Sequence, residues 1–368
     1  MDWNVAYEIA ALHFVKGLGM KNSHLLLQHF GSARAIFDAP VEAFTPFSKQ
    51  AEVLWSKLHG GTHWTRAEEV IIHAQKYGYS LLHWEHPHYP QRLRFCPDAP
   101  LLLYGKGPLP FHAKRVVSIV GTRKATPYGL RMCRRLVEGL AHPSMLIISG
   151  LALGIDRCAH ACALEVGLPT IGVLGHGIDR VYPPQHQKLV DDMCQKGGIL
   201  TEFPYGTAPE KKNFPIRNRI IAGLADLTIV VEAAEKGGAL ITAEFAHGYA
   251  RELAAFPGHV DQPYSAGCNA LIVHQKAVPI RHAEDVWALM QWDPPHPAPS
   301  NHLKKQVPLL SDMENKLFRW LSQYTSALHV SQLSQQLGWE SGDLALHLLQ
   351  LEMKGLIQVS AGGYYQVK

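Results

Sequence analysis

From about residue 114 to residue 291 the chain alternates short, continuously apolar runs with amphipathic stretches of helical length. The runs are Val116–Val120, Met145–Ser149, Thr170–Leu174, Ile199–Thr201, Leu227–Glu232, Leu253–Phe256 and Ala277–Ile280. Unbroken apolarity, rather than alternation, marks strands buried on both faces of a parallel sheet. Strand, helix and strand in repeated succession predict a doubly wound α/β fold. Upstream, residues 1–66 predict short helices broken at the glycine turns Val15-Lys16-Gly17-Leu18-Gly19 and Phe30-Gly31-Ser32, whereas 79–110 read as irregular, rich in Pro and aromatics, ending in Leu101–Tyr104. Residues 292–309 hold five prolines and no apolar period, and predict a linker. Over 310–368 three helical runs (Leu317, Phe318, Leu321; Val330, Leu333, Leu337; Leu344, Leu348, Leu351) precede Leu356–Val359, a Gly362-Gly363 turn and Tyr364–Val367. Three helices closed by a hairpin predict a winged helix.

Composition narrows the class. The 368 residues are 47% apolar and 18% charged, an ordinary globular balance for two or three domains. The six cysteines are sparse and irregular, and read as reduced thiols. The N-terminus has no signal-peptide pattern, and no apolar run reaches the ~18–20 residues a bilayer span needs. The cytoplasm and no membrane partner are therefore expected. A net charge of +4 names no partner; its distribution matters more.

The first strand runs into Gly121-Thr122-Arg123-Lys124, with Thr126-Pro127 as N-cap and first helical residue. Ligands of open α/β sheets bind beyond the C-terminal strand ends. A dinucleotide site carries G-x-G-x-x-G there; a single glycine followed by Arg123 suits a phosphate arriving from outside. Between 111 and 137 stand Lys114, Arg115, Arg123, Lys124, Arg131, Arg134 and Arg135 and no acid. Arg131, Arg134 and Arg135 fit a solvated helix face as well as a functional one. Gly150 and Gly154 follow the second strand, Gly175-His176-Gly177 the third, and Gly237-Gly238 the fifth. Such glycines let backbone N–H groups approach an anion, and tight turns need them in any case. The segment Glu210-Lys211-Lys212-Asn213-Phe214-Pro215-Ile216-Arg217-Asn218-Arg219 sets four cations and one aromatic ring against one acid. Binders of single strands stack bases on such a ring for ~1–3 kcal/mol each while cations track phosphates; a core position for Phe214 is the alternative. No serine-nucleophile elbow, phosphate loop or H-E-x-x-H occurs. Cys158-Ala-His160-Ala-Cys162 has metal-ligand spacing but no further ligands, so no metal is expected.

SIVGTRKATPYG (118–129), SGLALGIDRCAHACAL (149–164), TIGVLGHGIDRVYPPQHQKL (170–189), FPIRNRIIAGLADLTIVVEA (214–233), GGALITAEFAHGYAREL (237–253), AFPG (255–258) and GCNALI (267–272), in this order, resemble the DprA/Smf family, over nearly the whole chain. The resemblance implies a helix-hairpin-helix or sterile-alpha-motif-like domain over 1–66, an extended Rossmann core over 79–291 and the winged helix over 310–368. It implies a dimeric, non-catalytic protein without a cofactor, which binds and protects single-stranded DNA in natural transformation and loads the RecA recombinase. By motif, the DNA-binding arginine falls on Arg123, and the KxxFPxRNR segment on Lys211, Phe214, Pro215, Arg217, Asn218 and Arg219. Ala239 replaces the family's serine, and Gln275-Lys276-Ala277 its late Gly-Ala. The candidate DNA-binding set is thus Arg123, Lys211, Lys212, Phe214, Arg217, Asn218, Arg219, Gly121, Gly150, Gly154, Gly237 and Gly238.

Residues 310–368 carry four Lys and Arg against five Asp and Glu. A recognition helix should be basic where it meets a phosphate backbone, so this module is expected to contact protein or to assist DNA binding weakly. The rival class is an enzyme: Gly237-Gly238-Ala239-Leu240-Ile241-Thr242-Ala243-Glu244 partly matches the P-G-G-x-G-T-x-x-E of LOG-type nucleotide phosphoribohydrolases. A nucleotide-sensing regulator acting through the winged helix is the third.

Overall fold

The computed structural model describes residues 3–47, 50–294, 310–324, 327–360 and 363–367. The chain forms two compact units, residues 1–295 and 296–368. The first begins with α1 (Trp3–Phe14), α2 (Met20–Phe30), α3 (Ala33–Asp38), α4 (Ala51–His59) and α5 (His63–Tyr77). There follow β1 (Ser80–His83), α6 (Gln91–Arg94), β2 (Leu102–Lys106), β3 (Arg115–Val120), α7 (Pro127–Gly139), β4 (Met145–Ser149), α8 (Ile155–Glu165) and β5 (Thr170–Val173). The rest is α9 (Gln187–Met193), β6 (Gly198–Thr201), α10 (Asn213–Leu224), β7 (Leu227–Val230), α11 (Gly238–Gly248), β8 (Glu252–Ala255), α12 (Ala266–Val273), β9 (Val278–Pro279) and α13 (Ala283–Leu289).

All seven apolar runs become strands of one parallel sheet. Its order is β1-β2-β6-β5-β4-β3-β7-β8-β9, parallel from β6 to β9. The chain builds outward from β3 through β4, β5 and β6, then returns to place β7 on the other side of β3. That reversal opens a crevice beyond the carboxyl ends of β3 and β7, where such sheets bind ligands. Residues 79–110 depart from expectation: they supply β1 and β2, antiparallel additions that pair β2 with β6 through Tyr104–Thr201 and Lys106–Ile199. Four- and five-residue strands between Pro- and aromatic-rich turns carry little periodic signal, and the waiting edge of β6 selects them.

The N-terminal helices pack on this sheet. Ile9, Leu12, Leu26 and Phe44 share one apolar core with Leu101, Tyr104, Leu151 and Leu174. Thr126 caps α7 as the sequence predicts: its hydroxyl accepts from the Gly129 N–H at 3.2 Å and Pro127 opens the helix.

The second unit contains α14 (Asp312–Leu321), β10 (Leu328–His329), α15 (Val330–Leu337), α16 (Ser341–Met353), β11 (Ile357–Ser360) and β12 (Tyr364–Val367), with sheet order β10-β12-β11. Leu317, Leu333, Leu344, Leu348 and Leu351 form its core, which makes it a winged helix. Ser311 and Glu314 close a capping box, and Lys354 donates to Glu314 at 2.6 Å. Most of the expected linker, and Gly362 of the expected turn, lie outside the described residues.

Candidate nucleic-acid interface

The crevice at the β3/β7 reversal has a volume of about 640 Å³ and is walled by the loop after β3, the start of α8, residues 209–221 and the start of α11. The loop after β3 is held from three sides. The Thr122 N–H donates to the Glu232 carbonyl at 2.7 Å, while the buried Glu232 carboxylate accepts from Thr126 N at 2.9 Å and Thr126 Oγ1 at 2.5 Å. Gly121 allows close packing, since a Cβ there would lie 2.5 Å from Ile155 Cγ1. At Gly154 (φ +76°) a Cβ would collide with the Thr122 carbonyl, and the first amide of α8, on Ile155, donates to that same carbonyl. Gly121 and Gly154 therefore shape the loop that presents Arg123; Gly121 also lines the crevice, whereas Gly154 does not, and Arg123 emerges exposed, its guanidinium 5.4 Å from the centre of the Phe214 ring.

Helix α10 supplies the facing wall. Lys211 is exposed and lines the crevice, whereas Lys212 pairs with Glu210 at 2.8 Å and does not line it. Phe214 is half-buried, neither a core residue nor free: its edge fills the space beside Gly175, where a Cβ would lie 2.8 Å from Cδ1, and Tyr182 stands 6.0 Å from its ring centre. Asn218 donates to the Gly238 carbonyl at 3.1 Å and so ties α10 to the Gly237-Gly238 turn. Gly238 is exposed with open space where a side chain would project, leaving its backbone approachable from the crevice.

Three expected contacts need correction. Arg217 is 3% exposed and spends Nη1 on the Gly150 carbonyl at 2.5 Å and on the Val173 carbonyl. It is a strut in the crevice floor, held by those carbonyls rather than free to reach outward; burial lowers its pKa to about 10, against the pull of Asp156, so it stays charged at neutral pH. Gly150 is buried, and a Cβ there would lie 2.6 Å from Arg217 Nη1, so this glycine makes room for the strut. In the same turn the Ala152 N–H donates at 3.3 Å to Asp156, an anion the protein itself provides. Arg219 is 7% exposed, outside the crevice, and bonded to Glu202 and to the Asp98 carbonyl at 2.5 Å. It is a structural ion pair.

Asp156, Glu232 and Tyr182 are site residues that sequence reasoning missed. An acid six residues beyond Gly150, an acid two residues past β7 and a tyrosine before Pro183 are the only traces they leave in the sequence. Behind the site lies the fully buried His160. Thr170 Oγ1 donates to the Ile147 carbonyl at 3.0 Å, so it accepts from His160 Nδ1 at 2.7 Å, which leaves His160 Nε2 bare and buried. Burial, with the nearby His186 and Arg217, holds the pKa of His160 down to about 3. A depressed imidazole stabilises the fold above its ordinary pKa near 6.5, and that contribution is lost as pH falls. Urea unfolding should show about 1.5–2 kcal/mol less stability at pH 5 than at pH 6.5 from this group, and His160→Asn should flatten that slope. Cys158 and Cys162 lie 3.8 Å apart, with the Cys158 thiol pushed up to about 12, first by its contact with Cys133. Among the described residues no group of three or more His, Cys, Asp or Glu could hold a metal, and no helix is long and apolar enough to cross a membrane.

A Rossmann-type sheet with a cationic crevice at its switch point, carried in one chain with a winged helix, defines the class of protein. The family model for DNA recombination-mediator protein A matches residues 80–291, and that for the DprA winged helix domain matches 294–363. The chain belongs to the DprA/Smf family. Protein Smf of Synechocystis is 33% identical over 96% of both chains, and DNA processing protein DprA of Bacillus subtilis is 40% identical over 54% of this chain and 67% of that one. The crystal structure of DprA from Streptococcus pneumoniae superposes with TM-score 0.67 at 31% identity, covering 78% of this chain and 98% of that one. DprA from Helicobacter pylori, described for its single-stranded DNA binding mode, gives 0.53 at 29% identity over 58% and 97%.

Proposed function

We propose that this protein is a DNA-processing protein of transformation that binds single-stranded DNA in the β3/β7 crevice, without catalysis and with little regard to sequence. One observation carries the reading: Arg123 and Lys211, exposed cations with no acidic partner among the described residues, share the crevice with the half-buried Phe214 ring and the open backbone of Gly238. Cations for phosphates beside an aromatic face for bases make a sequence-tolerant strand binder. The single-stranded DNA binding mode described for the Helicobacter relative supports the choice of strand. Homodimerisation, RecA loading and protection of incoming DNA extend this reading from the family. The winged helix fits a protein-contacting role: α16 carries Asp343 and Glu352, and Leu346, Leu349 and Met353 are exposed along it.

The hydrolase reading lacks its acid. Glu244, the residue in register for it, pairs with Lys276 at 2.7 Å and does not line the crevice. Release of free base from nucleoside monophosphates would restore that reading. The binding reading is tested by titrating labelled single strands at several salt concentrations. Affinity should fall linearly on a log–log plot as counterions are released. Lys211→Ala should weaken binding several-fold and reduce the slope by about one, while Lys212→Ala, an already paired surface lysine, should leave both unchanged.

A further inference from the structure

Arg123 belongs to two cavities. On one side lies the crevice; on the other is an open groove of about 850 Å³ between α7 and α8. The groove's wall on α7 bears Arg131 and Arg134, one helical turn apart, and its wall on α8 bears Arg157. The small side chains of Cys158, Ala161 and Cys162 leave the space between the helices unfilled. Lys124 stands at the end shared with Arg123. Five cations thus line the groove against one acid, Glu165, which is committed to Arg134. Arg123, Lys124, Arg131 and Arg157 are exposed and have no acidic partner among the described residues. Four uncompensated cations along an open cleft repel one another, an arrangement that a polyanion relieves.

We propose that this groove is a second segment of the DNA path: a single strand seated in the crevice passes over Arg123 and continues between α7 and α8, held there through its phosphates. This rests on the crevice being a single-strand site. The shared arginine makes the two segments continuous, and the open cleft suits an extended backbone rather than a free nucleotide, which a closed pocket would serve better. The floor offers no aromatic ring among the groove-lining residues, so this segment should hold phosphate without stacking bases.

The test compares the full chain's affinity for oligothymidylates of increasing length, from about six to about twenty nucleotides, at fixed salt. Arg157→Glu and Arg131→Glu alter the groove without touching the crevice; Lys106→Glu makes the same charge change at an exposed site on β2, four strands or about 19 Å from β3 and outside both cavities. Wild-type affinity should rise with length beyond what the crevice accommodates. Arg157→Glu and Arg131→Glu should each weaken the long strand about tenfold and leave the shortest bound strand within about twofold, with Lys106→Glu silent, since surface charges beyond about 8 Å are screened at physiological salt. Equal losses for short and long strands, or a Lys106→Glu effect as large as Arg157→Glu, would overturn the groove while leaving the crevice reading intact. Wild-type protein that binds no strand of any length would overturn the crevice reading, and the groove with it. Unchanged melting temperatures for all three variants complete the comparison.

Discussion

Arg123→Glu should lower affinity for single-stranded DNA by at least about a hundredfold while leaving the melting temperature within a degree or two of the parent. Two terms act together: a phosphate contact is lost, and a negative charge is installed where the strand crosses from one cavity to the other. Stability should survive because the side chain is exposed and approaches the Phe214 ring at 5.4 Å, a contact worth about 0.5–1 kcal/mol at exposed sites. The loop itself is fixed by other groups, the Glu232 carbonyl and carboxylate and the Thr122 carbonyl under α8. Arg123→Lys should recover part of the affinity, because an ammonium supplies charge without the planar fork. A folded Arg123→Glu protein with parental affinity would remove Arg123 from the interface, and with it the link between crevice and groove.

The parallel core was legible because burial on both faces leaves an unmistakable trace: β3, β4 and β7 read as nearly unbroken runs of Val, Ile and Leu. Arg123 was legible for a similar reason, since a cation directly after such a run must lie at the carboxyl edge of the sheet. The RNR triplet was not. Successive residues of a helix point about 100° apart, so Arg217, Asn218 and Arg219 face three directions, and charge alone does not say which of them meets solvent. Their partners, the Gly150 and Val173 carbonyls for Arg217 and Glu202 for Arg219, come from other strands and loops that only the folded sheet brings near. The glycines show the same limit. Gly238 is open to a ligand, Gly150 is filled by a guanidinium and Gly154 by a carbonyl, though each follows a strand in the same manner.

Arg219 decides between charge read as DNA contact and charge read as scaffold. Replacing it with Met should cost about 3–5 kcal/mol of stability, because the Glu202 carboxylate would remain buried without its cation. Glu202 Oε1 already lacks a partner, so little remains nearby to compensate. Burial pushes the Glu202 carboxyl up and Arg219 opposes that rise. Without Arg219 the folded state would hold the Glu202 proton to still higher pH, whereas the unfolded chain releases it in the ordinary carboxylate range. Proton release then favours unfolding, so the variant's deficit should widen from pH 5 to pH 8. Arg219→Met combined with Glu202→Met should recover much of the loss, since apolar replacement of both members of a buried pair is often neutral or better. Urea titrations of the parent, single and double variants at both pH values measure all of this. At a temperature where Arg219→Met remains folded, its affinity for single strands should equal the parent's. A stable Arg219→Met protein with weakened DNA binding would return Arg219 to the interface and contradict its place beside Glu202.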